Sequence, residues 1–263
     1  MAEASGADEQ RDDWNDHWDR YAESASLNPA QTMRHELILD ALRSGGARIP
    51  TARLLDVGSG QGDFLVRANQ SGLANEYAGF ELSASGIRIA SAKVPGAKFV
   101  RVDLYNPPPE AEAFKGWATA AVCSDVIEHV DDPVAFLRAL KGYLAPDARL
   151  VLTVPGGPRS AFDVHIGHRR HYTRELARDT LQSAGFDVES VNMAGFPFFN
   201  AYRLLVILRG KKLVKDVESG EMGKGGSGLA KLVMGAFDGL FPYNARDSRF
   251  GWQVVAVARP RNT

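Results

Sequence analysis

Residues 53–64 read RLLDVGSGQGDF, and this stretch decides the fold class. A short apolar run ends in an aspartate and a valine, and glycines follow at the alternate positions 58, 60 and 62. An apolar run of this length beside glycines predicts a buried parallel strand that turns sharply into a helix. Ligands of open parallel sheets bind at this end of the strands, so the turn is a candidate binding loop.

Strands and helices alternate along the chain outward from this turn. Apolar runs predict strands at 53–57, 76–81, 98–103, 118–125, 149–155, 186–192 and 251–260. The stretch PVAFLRALKGYLAP predicts a helix whose apolar stripe includes Leu144. This alternation predicts a doubly wound α/β fold with a mostly parallel sheet.

We expect three parts in the chain: an N-terminal helical cap at 1–48, a core at 49–192 and 251–263, and a helical cap insert at 193–250. In the first part, Trp14, Trp18 and Tyr21 are spaced as on one face of a helix. In the insert, the stretch 215–228 holds five glycines in 14 residues, which predicts a flexible loop.

Composition excludes several classes of partner. The net charge of −1 gives no basic field for nucleic acid. One cysteine and an acidic N-terminus without an apolar run favour a cytoplasmic protein. The most apolar segment, 196–208, is shorter than the roughly 20 residues that a membrane span needs. We therefore expect no span, while peripheral membrane contact and either a monomer or a homodimer stay open.

The glycine spacing and the acids that follow the strands separate two kinds of ligand. The dinucleotide fingerprint G-x-G-x-x-G requires a small residue where this chain has Asp63. Acids end the first four predicted strands, at Asp56, Glu81, Asp103 and Asp125, although Asp is also common wherever a strand becomes a loop. An acidic pocket suits a cationic nucleoside and disfavours a pyrophosphate.

Four motifs in order resemble the class I S-adenosylmethionine-dependent methyltransferases: LLDVGSGQGDF, FE at 80–81, VDL at 102–104 and SDVIEHVDDP at 124–133. The resemblance covers roughly residues 50–192 and implies a Rossmann-like sheet of seven strands. Its last strand would be antiparallel and lie between the fifth and sixth. The resemblance also implies that S-adenosylmethionine is the cofactor. The string GHRRHY at 167–172 is similar to a subgroup that acts on cell-surface sugars, lipid-linked glycans and natural products.

The resemblance implies cofactor-binding residues in the N-terminal part and after strands one to four: Tyr21, Arg34, Asp56, Gly58, Ser59, Gly60, Gly62, Glu81, Leu82, Asp103, Leu104 and Ser124. The glycine loop would wrap the methionine portion and the ribose. Glu81 would accept hydrogen bonds from the ribose hydroxyls, and Asp103 with Leu104 would hold the adenine. Tyr21 and Arg34 would touch either the methionine carboxylate or the acceptor.

Methyl transfer to a hydroxyl requires a base, and His168 is the candidate because an ordinary histidine has a pKa of roughly 6.5. Asp125 and His129 are further catalytic candidates, although His129 is as often architectural as chemical. A structural role of His168 in ordering the loop is equally open. His165 and His171 complete a three-residue spacing, but Gly167 interrupts it and no acidic cluster accompanies it, so we predict no metal site.

Four residues are predicted to bind the acceptor: His165, Arg170, Tyr172 and Phe198. We expect methyl transfer, most simply to oxygen, on a small-molecule, sugar or lipid-linked glycan acceptor. A quinone or polyketide acceptor is an alternative within the same class. A catalytically silent S-adenosylmethionine-binding module is the alternative outside it, and Asp63 argues against an NAD oxidoreductase.

Overall fold

The computed structural model describes residues 14–15, 18–19, 28–44, 49–218 and 228–261. The side chains of 210–218 and 228–233 are outside this description. Tyr21 also lies outside the described residues, as does most of the Gly-rich stretch of the insert. The cofactor contact of Tyr21 and the flexibility of that stretch therefore stay predictions.

Helices and strands alternate from Pro29 onward. The first half of the described chain contains α1 (Pro29–Arg43), β1 (Thr51–Val57), α2 (Asp63–Gln70), β2 (Ala74–Glu81), α3 (Ala84–Lys93), β3 (Lys98–Arg101) and β4 (Ala118–Ser124). The second half contains α4 (Pro133–Lys141), β5 (Leu144–Pro155), α5 (Ala161–His165), α6 (Arg174–Ser183), β6 (Phe186–Ala194), α7 (Phe198–Glu218), α8 (Gly228–Leu240) and β7 (Gln253–Pro260). Short 3₁₀ turns occur at Pro109–Phe114 and Phe241–Tyr243.

The described strands form one sheet in the order β3-β2-β1-β4-β5-β7-β6. Strands β1 to β5 pair in parallel, and β7 lies antiparallel between β5 and β6. This order confirms the predicted seven-stranded, doubly wound sheet with its antiparallel last strand. The order reverses between β1 and β4, so the carboxyl ends of these two strands flank the crevice where such sheets bind ligands.

Apolar clusters cover both faces of the sheet. The first contains Leu55, Leu137 and Phe186, and the second joins α1 to the sheet through Ile38, Leu54 and other buried side chains. Strands that are buried on both faces read as continuous apolar runs, which is why the sequence revealed them.

The prediction that Leu144 belongs to a helix is wrong. Helix α4 ends at Lys141, and Leu144 is the first residue of β5. Gly142 weakens a continuing helix, because glycine in a helix interior costs about 1 kcal/mol relative to alanine. Leu144 instead pairs with Ala118 of β4.

The loop predicted after β5 contains a helix that sequence reasoning missed. Ser160 and Asp163 form a capping box that starts α5, so His165 is the last residue of a helix and not a loop residue. His168 and His171 do lie in irregular backbone between α5 and α6.

The insert consists of α7, α8 and the turn that follows α8. Helix α7 continues to Glu218, so Lys215–Glu218, which were predicted as loop, are helical. Lys and Glu are good helix formers, and the first of the five glycines in the predicted loop is Gly220, after the end of α7. In the part of the chain that the structure describes, no helix combines the length and apolar character of a bilayer span.

Candidate active site

The glycine loop after β1 is packed between two other segments. Gly58 and Gly60 have φ angles of 75° and 52°, in the left-handed region that favours glycine. A Cβ on Gly58 would lie 2.3 Å from Val126 Cγ2, and one on Gly60 would lie 2.5 Å from the Trp18 ring. The loop therefore contacts both the segment after β4 and the N-terminal segment. Gly62, also left-handed, is the N-cap of α2.

Glu81 ties the end of β2 to this loop. Its Oε2 accepts a hydrogen bond from Gly60 N at 2.7 Å, and its Oε1 accepts one from Ser83 N at 2.8 Å. Burial raises the pKa of Glu81, and the backbone donors of Ser83 and Gly60 oppose that rise. The backbone of Leu82 opposes the rise as well. A carboxylate has about four lone-pair sites, so capacity remains for a further donor such as a ribose hydroxyl.

Asp56 places a second buried carboxyl next to Glu81. Burial first, and the charge of Glu81 second, raise the pKa of Asp56 to about 7. Nearby Ser59 has a buried Oγ with no hydrogen-bond partner among the described residues. Two buried acids and an unused hydroxyl fit a cationic ligand that carries hydrogen-bonding groups, because such a ligand would favour the ionised acids.

The adenine end of the predicted site is more open. Asp103 is half-buried, and its Oδ1 accepts a hydrogen bond from Tyr105 N at 2.9 Å. Leu104 is buried beside it, whereas the Leu82 side chain is exposed. Leu82 can therefore serve the site mainly through its backbone, and its carbonyl already accepts a hydrogen bond from Arg101 Nε.

Asp125 follows β4 at the other side of the crevice. Its carboxylate forms an ion pair of 2.9 Å with Arg34 of α1. Its φ of 52° is the only positive value of a non-glycine residue in the described ranges. The preceding Ser124 shares a 2.8 Å hydrogen bond with Thr153 of β5. Strained backbone of this kind is concentrated at functional sites.

The described part of the N-terminal segment lies near the carboxyl ends of β1 and β2. The Trp14 ring meets the His129 ring edge to face at 4.9 Å. Asn15 Oδ1 accepts a hydrogen bond of 3.0 Å from Ser83 Oγ, next to Glu81. With Trp18 against Gly60, these contacts place the segment over both the glycine loop and the histidine that follows β4.

Three of the four predicted histidines come together. The His129 and His168 rings meet edge to face at 4.7 Å, and His168 Nδ1 lies 3.2 Å from His171 Nε2. Burial, and then the charge of His129, lower the pKa of His168 to about 3. His168 is therefore neutral near pH 7 and has a lone pair. His165 is exposed at the end of α5.

Asp163 is a residue of this site that sequence reasoning missed. It is fully buried, and its Oδ2 accepts hydrogen bonds of 2.7 Å from both N and Oγ of Ser160. Arg203 of α7 donates to both of its carboxylate oxygens, at 3.0 and 2.9 Å. Burial would raise the pKa of Asp163, but Arg203 and Ser160 hold it below its ordinary value. The Ser-x-x-Asp spacing was the available signal.

The sequence argument that no acids accompany the histidines is wrong. Oxygens of Glu128 lie within 4.8 Å of ring nitrogens of His129 and His168, and those of Asp163 lie equally close to His168 and His171. Glu128 is fully buried, which raises its pKa, and Asp125 raises it further. The carboxylate of Asp163 already accepts hydrogen bonds from Arg203 and Ser160. The absence of a metal stays a prediction.

The predicted acceptor residues fall in different environments. Tyr172 is buried in the core, and its hydroxyl donates to Ile127 O at 3.3 Å. Arg170 is half-buried and donates to Asp131 O at 3.0 Å. Phe198 packs half-buried beside the apolar cluster of α1. Tyr172 therefore holds the loop in place, and this structural role differs from the predicted contact with the acceptor.

A separate cleft of about 610 Å³ opens at the amino ends of the strands, lined by residues that include Thr51, Thr119 and Arg149. Ligands of such sheets bind at the carboxyl ends, where the acids and histidines meet. We therefore assign no part of the site to this cleft.

Comparison with known proteins agrees with this geometry. Residues 30–191 match the family model described as a methyltransferase domain. The chain belongs to this methyltransferase family. The methyl donor of this methyltransferase is S-adenosylmethionine, a cation without phosphates, which suits the buried acids of the crevice.

Relatives and similar structures span most of the chain. The methyltransferase is 26% identical over 208 residues to the ubiquinone biosynthesis O-methyltransferase of Xanthomonas axonopodis pv. citri, covering 72% of this chain and 84% of that protein. Geranyl diphosphate C-methyltransferase from Streptomyces coelicolor aligns with a TM-score of 0.57 at 16% identity, over 88% of this chain and 79% of that one. The [4+2]-cyclase SpnF aligns with a TM-score of 0.56 at 18% identity, over 87% and 81%. At these identities, the two structures show the fold alone.

Proposed function

We propose that this methyltransferase transfers the methyl group of S-adenosylmethionine to a hydroxyl oxygen of a small molecule. The observation that carries the proposal is the largely buried imidazole of His168, whose ring meets that of His129 edge to face at 4.7 Å. Bound S-adenosylmethionine supplies the electrophilic methyl group. A hydroxyl acceptor loses a proton during transfer, so the site needs an unprotonated ring nitrogen near the acceptor. The burial that lowers the pKa of His168 keeps the ring unprotonated, but it also weakens the ring as a base.

The contacts of the glycine loop support His168 as the proton acceptor. Val126 packs on Gly58 of the cofactor loop, and three residues later His129 packs on His168. One short segment thus connects the cofactor loop to the candidate base. In this arrangement, Glu81 holds the ribose, Asp103 and Leu104 hold the adenine, and Arg34 with Asp125 borders the methionine end.

For the acceptor, we favour a hydroxyl on an aromatic ring. The relative from Xanthomonas axonopodis pv. citri supports such a ring, since that protein is a ubiquinone biosynthesis O-methyltransferase. The GHRRHY string supports a sugar or lipid-linked glycan instead. Leu204, Leu205 and Leu208 on α7 are exposed. Such an apolar surface suits three alternative roles of the insert: an acceptor cap, a dimer face or a peripheral membrane contact.

Methyl-labelled S-adenosylmethionine distinguishes these acceptors. Purified protein is incubated with catechol, with a monosaccharide mixture, and with host extract that is then separated into organic, aqueous and protein fractions. Label on catechol or in the organic fraction supports the aromatic or apolar acceptor. Label only in the aqueous fraction overturns it in favour of a sugar. Binding of the cofactor without any transfer supports the silent module.

The His168→Gln variant tests the base. We expect kcat to fall by roughly 10²- to 10⁴-fold, because general base catalysis contributes about that factor. The affinity for S-adenosylmethionine, measured by calorimetry, should stay the same. His35→Gln is the matched control, since His35 is also buried but packs against Phe64 between α1 and α2. Wild-type kcat in His168→Gln would remove His168 as the base.

A further inference from the structure

His168 and His171 are joined to a backbone carbonyl in one chain of hydrogen bonds. His168 Nδ1 lies 3.2 Å from His171 Nε2, and His171 Nδ1 lies 3.1 Å from Gly157 O. Burial lowers the pKa of both rings, so each is neutral near pH 7 and carries a single ring proton. The carbonyl of Gly157 at the end of the chain determines which nitrogen of each ring carries the proton.

A carbonyl oxygen only accepts hydrogen bonds, so Nδ1 of His171 carries a proton and donates it to Gly157. In the neutral ring, Nε2 of His171 is then the acceptor, and it takes its hydrogen bond from Nδ1–H of His168. The proton of His168 is thereby placed on Nδ1. Nε2 is left as the only ring nitrogen of His168 that accepts a proton.

We propose that His171 is a positioning residue that holds His168 in the Nδ1–H tautomer and so keeps Nε2 of His168 ready to accept the proton of the acceptor hydroxyl. This inference rests on the proposed O-methylation.

The backbone on both sides of the two histidines is fixed, which makes the arrangement durable. His168 N donates to Asp163 O, and Arg169 N donates to Glu128 O, both at 2.8 Å. Beyond His171, Tyr172 N donates to Pro155 O at 2.8 Å.

Gly157, which supplies the carbonyl, packs against the ring of Trp252. Its φ is 69°, and a Cβ there would lie 2.5 Å from the Trp252 ring, so the indole packs against this glycine. The carbonyl that directs the proton positions therefore belongs to a residue just after β5 that packs against Trp252, the residue before β7.

The transfer step balances with this tautomer. The oxygen lone pair of the acceptor forms the new C–O bond, and the S–CH₃ bond breaks with its electron pair going to sulfur, which yields S-adenosylhomocysteine. The O–H proton passes to Nε2 of His168. The sulfonium charge disappears as the imidazolium charge appears, so the net charge of the buried site is conserved.

Nitrogen NMR of protein labelled with ¹⁵N-histidine tests the tautomer without any acceptor. The His168 signals are assigned by their loss in His168→Gln. We expect the proton on Nδ1 in the wild type, and on Nε2 in at least part of the molecules of a folded His171→Leu variant. In His171→Gln, the side-chain carbonyl accepts from His168 and the amide donates to Gly157, so the Nδ1–H form returns. An Nε2–H form in the wild type, or an unchanged Nδ1–H form in His171→Leu, overturns the proposal.

Turnover of catechol, or of the acceptor that becomes labelled in host extract, tests its consequence. We expect kcat to fall at least about 10-fold in His171→Leu and to recover in His171→Gln, with KM for S-adenosylmethionine unchanged in both. If the tautomer shifts in His171→Leu while kcat stays unchanged, His171 has no positioning role in turnover. If the proposed function fails, the wild type methylates no hydroxyl. The NMR experiment still determines the tautomer of His168 in that case, so the two failures are distinguishable.

Discussion

Arg34 of α1 and Asp125 after β4 form an ion pair of 2.9 Å, and Asp125 reaches it from a left-handed backbone. The pair joins the N-terminal helix to the crevice at the reversal of strand order. Both side chains are largely buried, with 19% and 25% of their surface exposed, so the interaction is stronger than a surface pair. The strain at Asp125 is thus stabilised by a contact with a different element.

The backbone strain at Asp125 is measurable with two substitutions that both remove the carboxylate. We expect Asp125→Gly to be more stable than Asp125→Ala by about 1 kcal/mol. Left-handed backbone costs an alanine roughly 1–2 kcal/mol, which the greater flexibility of unfolded glycine partly offsets. Urea unfolding provides the free energies. The same pair at Ser124, within β4, should show the reverse order, since glycine weakens a strand. Equal stabilities at position 125 would contradict the strain.

The Glu81→Gln variant should bind S-adenosylmethionine about 10- to 150-fold more weakly. Loss of a charged, buried hydrogen-bond acceptor costs about 1.5–3 kcal/mol, and the new amide group would face the N–H donors of Gly60 and Ser83. Calorimetry gives the dissociation constant. Glu76→Gln on the same strand is the control, because Glu76 is exposed and forms a surface ion pair with Lys98 at 3.5 Å. Unchanged affinity in Glu81→Gln would remove Glu81 from the cofactor site.

The buried acid at Asp56 predicts a pH dependence of stability. Its pKa rises from 3.8 to about 7 on folding, through burial and then through Glu81. The raised pKa means that this group destabilises the fold progressively as pH rises from about 4 to above 7, since the folded state must then hold a buried charge. Asp56→Asn does not titrate, so its stability relative to the wild type should increase over that range by on the order of 2–4 kcal/mol. Urea unfolding of cofactor-free protein at pH 5 and pH 8 measures this, and a difference that does not change with pH would contradict it.

The cofactor half of the site was predictable because it depends on local order in the chain. Glycines at 58, 60 and 62 and an acid at the end of β2 follow from the turn and from the strand length. The structure joins Gly60 to Glu81 by a hydrogen bond that the sequence did not indicate. The left-handed backbone of Asp125 has no comparable local signal, because its partner Arg34 is 91 positions away in the sequence, 125 minus 34.

The histidine half was only partly predictable, for the same reason. Spacing placed His168 in a loop after β5, but the relation of His168 to His129 depends on how β4 and β5 pair. Asp163 was missed although its capping box is local, because α5 is only five residues long and is too short to show a helical period. Its ion pair with Arg203 bridges to α7, 40 residues later, and no pattern in the sequence indicates that contact.

The Asp163–Arg203 pair should be the main polar attachment of the insert to the histidine loop. Arg203→Met leaves a buried carboxylate without its cation, so we expect a loss of unfolding free energy of about 3–5 kcal/mol. Arg246→Met is the matched control in the same insert, because Arg246 and Asp40 form an ion pair that is more than half exposed and should contribute less than about 1 kcal/mol. The double variant Asp163→Leu with Arg203→Met should regain part of the loss, since neither charge then remains buried. Urea unfolding of the four proteins, wild type included, completes the comparison. Equal losses in Arg203→Met and Arg246→Met would show that the buried pair does not hold the insert.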